Sequence, residues 1–158
     1  GRTTGGVEVA MEAQSVQILS DQTGGIVLDE VFTGSTVEAT MSFLEMTPER
    51  WETIVGTVTG DVFTPSGGTK LVGYGESRLY QSFFDLGGEL VLHPSRFDAS
   101  DRSRDITLWK SAPKPASVNF SGEEPQAMEV TFTALADRSI QSAINLMAFG
   151  DNQQDVRA

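Results

Sequence analysis

Strict alternation of apolar and polar residues in two segments of the first third limits this chain to a narrow set of folds. In residues 7–14 and 36–43 the apolar side chains occupy the odd positions, with Ala10 as the one exception. Successive side chains of a β-strand point to opposite faces, so each segment has an apolar face and a polar face. The pattern predicts an antiparallel sheet with one buried and one solvated side. The buried side is expected to contain Val7, Val9, Met11, Val37, Met41 and Phe43.

The polar face of these two strands carries carboxylates. Glu8 and Glu12 lie on it in the first strand, and Glu38 lies on it in the second. This assignment depends on register, because a slip of one residue moves every side chain to the other face.

Turn residues predict further short strands near the start of the chain. Residues 21–25 and the Thr-Gly-Ser sequence at 33–35 predict turns on either side of a strand at 26–31. A slip near Ser15 is expected to keep Val16 and Ile18 on the apolar face of the first strand.

The last third is again β-patterned. Alternation predicts strands around residues 90–92, 106–109, 118–120 and 128–134. Prolines 94, 113, 115 and 125 are expected between these strands, because proline cannot donate a ladder hydrogen bond. Residues 137–149 are predicted to include a short helix before a polar C-terminal tail at 150–158.

One other helix is predicted, beginning at Thr47. Thr47 is a good N-cap residue, and Pro48 suits the first helical position. Trp51 and Ile54 begin an apolar stripe, and Gly56 is expected to end the helix. A helix this short is not stable alone, so Trp51 is predicted to pack it onto the sheet.

Composition excludes several classes of protein. The chain has 158 residues, which predicts a single domain over 1–158, and it has no cysteine. The net charge is −11, which makes tight binding to nucleic acid unfavourable. No segment approaches the roughly 18 consecutive apolar residues of a membrane span, so no membrane association is expected.

Charge is distributed unevenly along the chain. Residues 1–61 have ten acidic and two basic residues, whereas residues 96–115 have five basic and three acidic residues. Such asymmetry suits head-to-tail contact between identical copies, although a high net charge also serves solubility alone.

Catalytic and cofactor motifs are missing from the pattern. His93 is the only histidine, which rules out a two-histidine metal site within one chain. Counted from Asp98, a calcium loop would have Arg102 at a ligand position and Ser103 in place of its glycine. The chain contains no G-x-S-x-G elbow and no Walker P-loop. We therefore expect no enzyme activity, no metal and no cofactor.

Several short segments, in this order, resemble the major tail (tail tube) proteins of long-tailed bacteriophages or phage-derived particles. The resemblance covers about residues 3–150. The segments that carry it are Thr3–Val7, Gly34–Leu44 running into Thr47-Pro48-Glu49, L-V-L-H-P at 90–94, R-D-I-T-L-W-K at 104–110 and E-V-T-F-T-A-L-A-D at 129–137. Residues 57–85 diverge from the family.

The resemblance implies a mainly β (α+β) subunit, an antiparallel β-sandwich or barrel with one short flanking helix. Hexameric rings of such subunits would stack into the tail tube, a conduit for DNA ejection whose lumen must not bind DNA. Glu8, Glu12 and Glu38 are then expected to line the lumen. The implied location is the virion tail, assembled in the bacterial host cytoplasm. The implied partners are further copies of the chain and the tail tip, tape measure and terminator proteins.

In such a ring, residues 57–85 are expected to form an extended loop that touches a neighbouring subunit. The residues predicted to make subunit contacts are Arg96, Arg102, Arg104, Lys110, Tyr74 and Tyr80.

Other functions fit part of the pattern. A carbohydrate-binding or other β-sandwich module of a phage tip or secreted protein would explain the strands, the tryptophans and the acids. A decoration or tail-terminator protein shares the composition but would form trimers or a single ring. The tube of a contractile tail or of a type VI secretion system is closer still, and composition leaves it open.

Overall fold

The computed structural model describes residues 3–20, 25–44, 47–55, 62–119, 127–141 and 143–151. It confirms a mainly antiparallel β fold with a short flanking helix. The elements are β1 (Thr3–Ser20), β2 (Ile26–Phe43), α1 (Pro48–Val55), β3 (Val62–Phe63), β4 (Leu71–Val72), α2 (Phe83–Leu86), β5 (Gly88–Leu92), β6 (Ile106–Asn119), β7 (Ala127–Ala134) and β8 (Met147–Phe149).

The main sheet has the strand order β1-β2-β7-β6-β5, and β8 pairs with the first part of β6. Every pairing in it is antiparallel. β3 and β4 form a separate two-stranded sheet.

The first two strands extend well beyond the rest of the sheet. β2 pairs with β7 only from Glu38 to Phe43, whereas β1 pairs with β2 along nearly its whole length. Residues 12–20 and 26–36 are therefore joined only to each other, and we call this two-stranded projection the arm. We call residues 37–43 of β2, with β5, β6, β7 and β8, the body.

The sequence prediction of a turn at 33–35 is wrong. β2 continues through these residues, and its register with β1 shifts between the Gln14–Gly34 and Ser15–Phe32 pairs. The extra residue, Thr33, belongs to β2, so the strand bulges rather than turning. β1 keeps its alternation, so Val16 and Ile18 do not continue the apolar face as predicted but lie on the side of Glu12.

The core forms on one face of the body. Val37, Ala39, Met41, Leu108 and Ala134 are buried together, and Val9 and Phe43 pack against them. Two predicted core residues are not buried, because Val7 is 40% and Met11 is 65% exposed. Both lie on β1, the outer strand, which has a neighbour on one side only among the described strands.

β6 contains two prolines that were predicted to lie between strands. Pro113 and Pro115 both pair with β7, so that prediction is wrong. The Lys110 carbonyl accepts a hydrogen bond from the Leu135 N–H at 2.7 Å, which directs the backbone groups of even-numbered residues towards β7. The prolines therefore face the other edge, where β5 pairs no further than Ser111. A missing N–H costs no ladder bond there.

α1 begins as the sequence predicts. The Thr47 hydroxyl accepts a hydrogen bond from the Arg50 N–H at 3.3 Å, and the Thr47 carbonyl accepts one from the Trp51 N–H at 2.9 Å. The Trp51 ring meets the Tyr74 ring edge-on at a centroid distance of 6.3 Å. Trp51 thus joins the helix to the segment after β4. The predicted end at Gly56 lies outside the described residues.

The C-terminal segment contains no helix within the described part of 137–149. Its residues form turns and then β8. Of the predicted polar tail, Gly150 and Asp151 are described, and residues 152–158 lie outside the described ranges. The predicted strand at 118–120 is described as far as Asn119, where it is the end of β6, Ile106–Asn119. Phe120 lies outside the described residues.

Candidate assembly surfaces

The predicted carboxylates lie together on the face of the sheet opposite the core. Glu8 pairs with Thr40, Glu12 pairs with Thr36, and Glu38 pairs with Ala10 between them. This is the face that the alternation predicted. That the face lines a lumen stays a prediction.

Threonines of neighbouring strands organise this acidic face. The Thr133 hydroxyl donates to the Glu38 carboxylate at 3.0 Å, and the Thr40 and Thr131 hydroxyls lie 3.1 Å apart. Opposed threonines and a satisfied carboxylate stabilise pairing between β2 and β7. A hydrogen-bonded wet face of this kind can pass a polyanion without holding it, because its carboxylates repel phosphate.

One further acid on the same face was missed by the sequence reasoning. Glu129 pairs with Ser42 and is exposed, so it extends the row of carboxylates across β7. The alternation of Glu129, Thr131 and Thr133 with apolar residues was the available signal. The nearest basic residue in the register is Lys114 of β6, which pairs with Thr131 of β7.

The arm exposes apolar residues on both of its faces. Its large apolar side chains are 46–65% exposed: Val16, Ile18, Leu19, Ile26, Val27, Leu28, Val31 and Phe32. Val16 pairs with Val31 on the side of the carboxylates, whereas Phe32 pairs with Ser15 on the opposite side. The outer part of the arm therefore carries apolar side chains on the carboxylate side as well, beside Asp29, which pairs with Ile18. It resembles a strand pair that is covered on both sides.

The basic residues predicted to make subunit contacts do not form one patch. The guanidinium groups of Arg96 and Arg104 lie 5.0 and 5.7 Å from the centre of the Phe97 ring. Arg102 instead donates to the fully buried carboxylate of Asp105 at 3.2 Å. The Lys110 ammonium lies 4.8 Å from the centre of the Phe84 ring. Arg96 and Arg104 are thus available at a surface turn, whereas Arg102 stabilises the fold.

The two tyrosines predicted at subunit contacts differ in their surroundings. Tyr74 meets Trp51, and the Arg78 guanidinium lies 4.9 Å from the centre of its ring. Tyr80 is fully exposed and has a positive φ of 66°. Tyr74 therefore contributes to packing within the subunit, and Tyr80 does not.

His93 belongs to a polar cluster around the buried Asp105 carboxylate, which the sequence did not reveal. Its Nδ1 lies 2.6 Å from Oδ1 of Asp105, and Oδ2 of the same carboxylate accepts from Arg102. His93 follows β5 and Asp105 precedes β6, so pairing of these strands brings them together. The cluster ties the loop 93–105 to the body.

Two aspartates in the same loop close short turns. Hydrogen bonds from the Ser100 hydroxyl and N–H, at 2.7 and 2.9 Å, lower the pKa of Asp98. Bonds from Ser103 likewise lower the pKa of Asp101. These carboxylates stabilise the turns locally.

Within the described ranges, no three histidine or acidic side chains come close enough together to hold a metal ion. Nor does any helix there have the length and apolar character needed to cross a membrane. Comparisons with protein-family models, curated protein sequences and solved structures found no match. Function has to be inferred from the residues and their geometry.

Proposed function

We propose that this chain is a tail tube subunit of a long-tailed bacteriophage or phage-derived particle, which assembles into stacked, hexameric rings. The observation that carries the proposal is the arm, whose apolar side chains are exposed on both faces in the single chain. The segments that resemble tail tube proteins give the proposal its particular form. The host cytoplasm is the proposed place of assembly, and the virion tail is the proposed final location.

An unpaired, partly apolar strand edge favours pairing with another copy. The outer edge of β1 has no partner among the described strands, and β2 has a second neighbour only from Glu38 onwards. Long exposed edges of this kind invite further strand pairing, and closing a barrel removes them. Rings built through the arm would cover its apolar surface and both edges at once.

The acidic face gives the proposed tube its lumen. Four carboxylates lie on the face of the sheet opposite the core: Glu8, Glu12, Glu38 and Glu129. The helix α1 contacts β6 and β4. Carboxylates facing the tube axis would repel the phosphate backbone, so that duplex DNA passes without specific binding. The tail tip, tape measure and terminator proteins are the partners that this function requires.

Electron microscopy of the purified chain tests the assembly. We expect negative-stain images to show rings or hollow tubes, and light scattering to rise steeply with protein concentration. If the chain stays monomeric at every concentration, and added tail-tip complex does not start growth, the proposal is wrong.

Charge reversal tests the lumen. Glu8→Lys with Glu12→Lys should leave tube formation intact and impair DNA delivery by the particle, because lysines would bind phosphate. Glu49→Lys on α1 is a control for the change in charge, since Glu49 is exposed and lies outside the acidic face. Normal DNA delivery with the double variant would show that this face does not line the lumen.

A carbohydrate-binding module is the second candidate, because exposed tyrosines can stack on sugars. Tyr80 is open to such stacking, but the Arg78 guanidinium already lies over the Tyr74 ring. One open ring is a small platform for a glycan. Titration with oligosaccharides, followed by tyrosine fluorescence, separates this function from assembly.

A further inference from the structure

A small cleft lies beside the fully exposed ring of Tyr80. Its volume is about 300 Å³, and its walls include Tyr74, Leu79, Tyr80, Phe83, Leu86 and Pro113. Leu79 is 61% and Phe83 48% exposed, so the walls are largely uncovered in the single chain. The volume is at the lower end of the range of roughly 300–1,000 Å³ for ligand sites, which is enough for a few side chains.

The backbone at Tyr80 is strained, and its fully exposed side chain buries no surface that would offset the strain. Tyr80 is the only residue other than glycine with a positive φ in the described part of the chain. A left-handed conformation costs a residue with a Cβ roughly 1–2 kcal/mol. Strain of this kind persists at sites of function, where it positions a side chain for a partner. Here it displays a tyrosine at the mouth of an apolar cleft.

Basic groups border the cleft on the side of its phenylalanine. The Lys114 ammonium lies 5.7 Å from the centre of the Phe83 ring, and Lys110 lies over the adjacent Phe84. Arg78 lines the cleft itself. The described residues that line the cleft include no acid, so the charge at its wall is that of Arg78, with Lys114 beside the Phe83 ring. An occupant with apolar side chains followed by carboxylates fits this arrangement.

We infer that the occupant is the arm tip, Ile26–Glu30, of a second copy of this chain. Ile26 is 61% and Leu28 is 65% exposed, and Asp29 and Glu30 follow them. The tip does not fill the cleft of its own chain, because both surfaces are open in the folded subunit. The inference rests on the proposed function, since it specifies how neighbouring subunits of the tube interlock.

A tip-to-cleft contact joins two different surfaces of identical chains. Such a heterologous contact leaves one free tip and one free cleft on every dimer. Repetition therefore produces a closed ring or an open filament, as assembly of a tube requires. The contact adds directional interlocking to the edge pairing of β1.

Engineered cysteines test the contact directly, because the native chain has none. Leu28→Cys mixed with Gln81→Cys, which lines the cleft, should form a disulfide-linked heterodimer under mild oxidation. The rate should be about tenfold higher than for Leu28→Cys mixed with Ser95→Cys, an exposed turn residue away from the cleft. Equal rates for the two mixtures would overturn the inference.

Tyr80→Gly, introduced into the Gln81→Cys chain, separates docking from folding. Glycine adopts a positive φ without strain, so the melting temperature should be unchanged or higher. The cross-linking rate should fall to that of the Ser95→Cys control, whereas Tyr80→Phe should retain it.

The two proposals fail in different ways. If Tyr80→Gly chains cross-link normally, or form hollow tubes as readily as the native chain, the inferred tip-to-cleft contact is wrong. The proposal that the chain forms a tail tube is then unaffected. If cross-linking is specific but only closed single rings or solid fibres form, the inferred contact is right and the proposed tail tube function is wrong.

Discussion

The arm and the body have similar residue patterns and opposite environments. Both consist of antiparallel strands rich in β-branched and apolar residues, yet Val37, Ala39 and Leu108 of the body are at most 4% exposed. The corresponding residues of the arm are about half exposed or more. The difference arises from neighbours, since the body has four or more strands side by side and the arm has two.

A strand pattern thus specifies which face is covered, but not whether the same chain or another molecule covers it. An isolated two-stranded ribbon is marginally stable in water. A large exposed apolar surface on a small protein marks an interaction site. On the proposed function the arm completes its packing in an assembly, whereas the body completes its packing within the chain.

Matched truncations of leucine give the largest expected difference between the two regions. Leu108→Ala should lower the free energy of unfolding by about 2–5 kcal/mol, because it leaves a cavity in the core. Leu28→Ala in the arm should change it by about 0.5 kcal/mol or less. Urea unfolding of dilute, monomeric protein measures both. A similar loss for the two variants would mean that the arm packs against its own body.

Matched removal of carboxylate charges gives a smaller difference. Asp105→Asn should cost about 1–3 kcal/mol, because the fully buried carboxylate accepts from His93 and Arg102. Glu30→Gln in the arm, where the exposed carboxylate accepts from Ser15, should cost roughly 0–1 kcal/mol. Thermal unfolding of the monomer at neutral pH compares them. An equal cost would show that burial does not increase the contribution of the Asp105 carboxylate to stability.

The parts of the fold that local chemistry determines could be predicted from the sequence. Alternation located β1 and the inner half of β2, and it placed the three glutamates on one face. Thr47 and Pro48 located the start of α1. In each case the signal lies within a few neighbouring residues, so no tertiary information is needed.

The remaining features depend on contacts that are distant in the chain. Gly34 suggested a turn, but pairing with β1 keeps the strand continuous through a bulge at Thr33. Pro113 and Pro115 suggested a break in β6, but they face an open edge. The partnership of His93 with Asp105 depends on the pairing of two strands. Exposure of Met11 follows from its position on an outer strand, which alternation alone does not reveal.

The smallest expected effect tests whether exposure, rather than position in the chain, decides how much a side-chain contact stabilises. Asp98 belongs to the loop that the body holds in place, but it is as exposed as the arm. Hydrogen bonds from Ser100 lower its pKa below the ordinary 3.8, so Ser100→Ala should raise that pKa towards 3.8.

In the native chain the lowered pKa of Asp98 means that the folded state binds fewer protons than the unfolded state near pH 3.8. The stabilisation is therefore complete above about pH 4 and is lost as the pH falls through the folded pKa. Carbon-detected NMR titration of the Asp98 carboxyl group measures the shift, and the stability of Ser100→Ala at neutral pH should stay close to that of the native chain, as for an exposed substitution in the arm. A loss as large as that of Asp105→Asn would break the comparison, because an exposed turn would then contribute as much as the buried cluster.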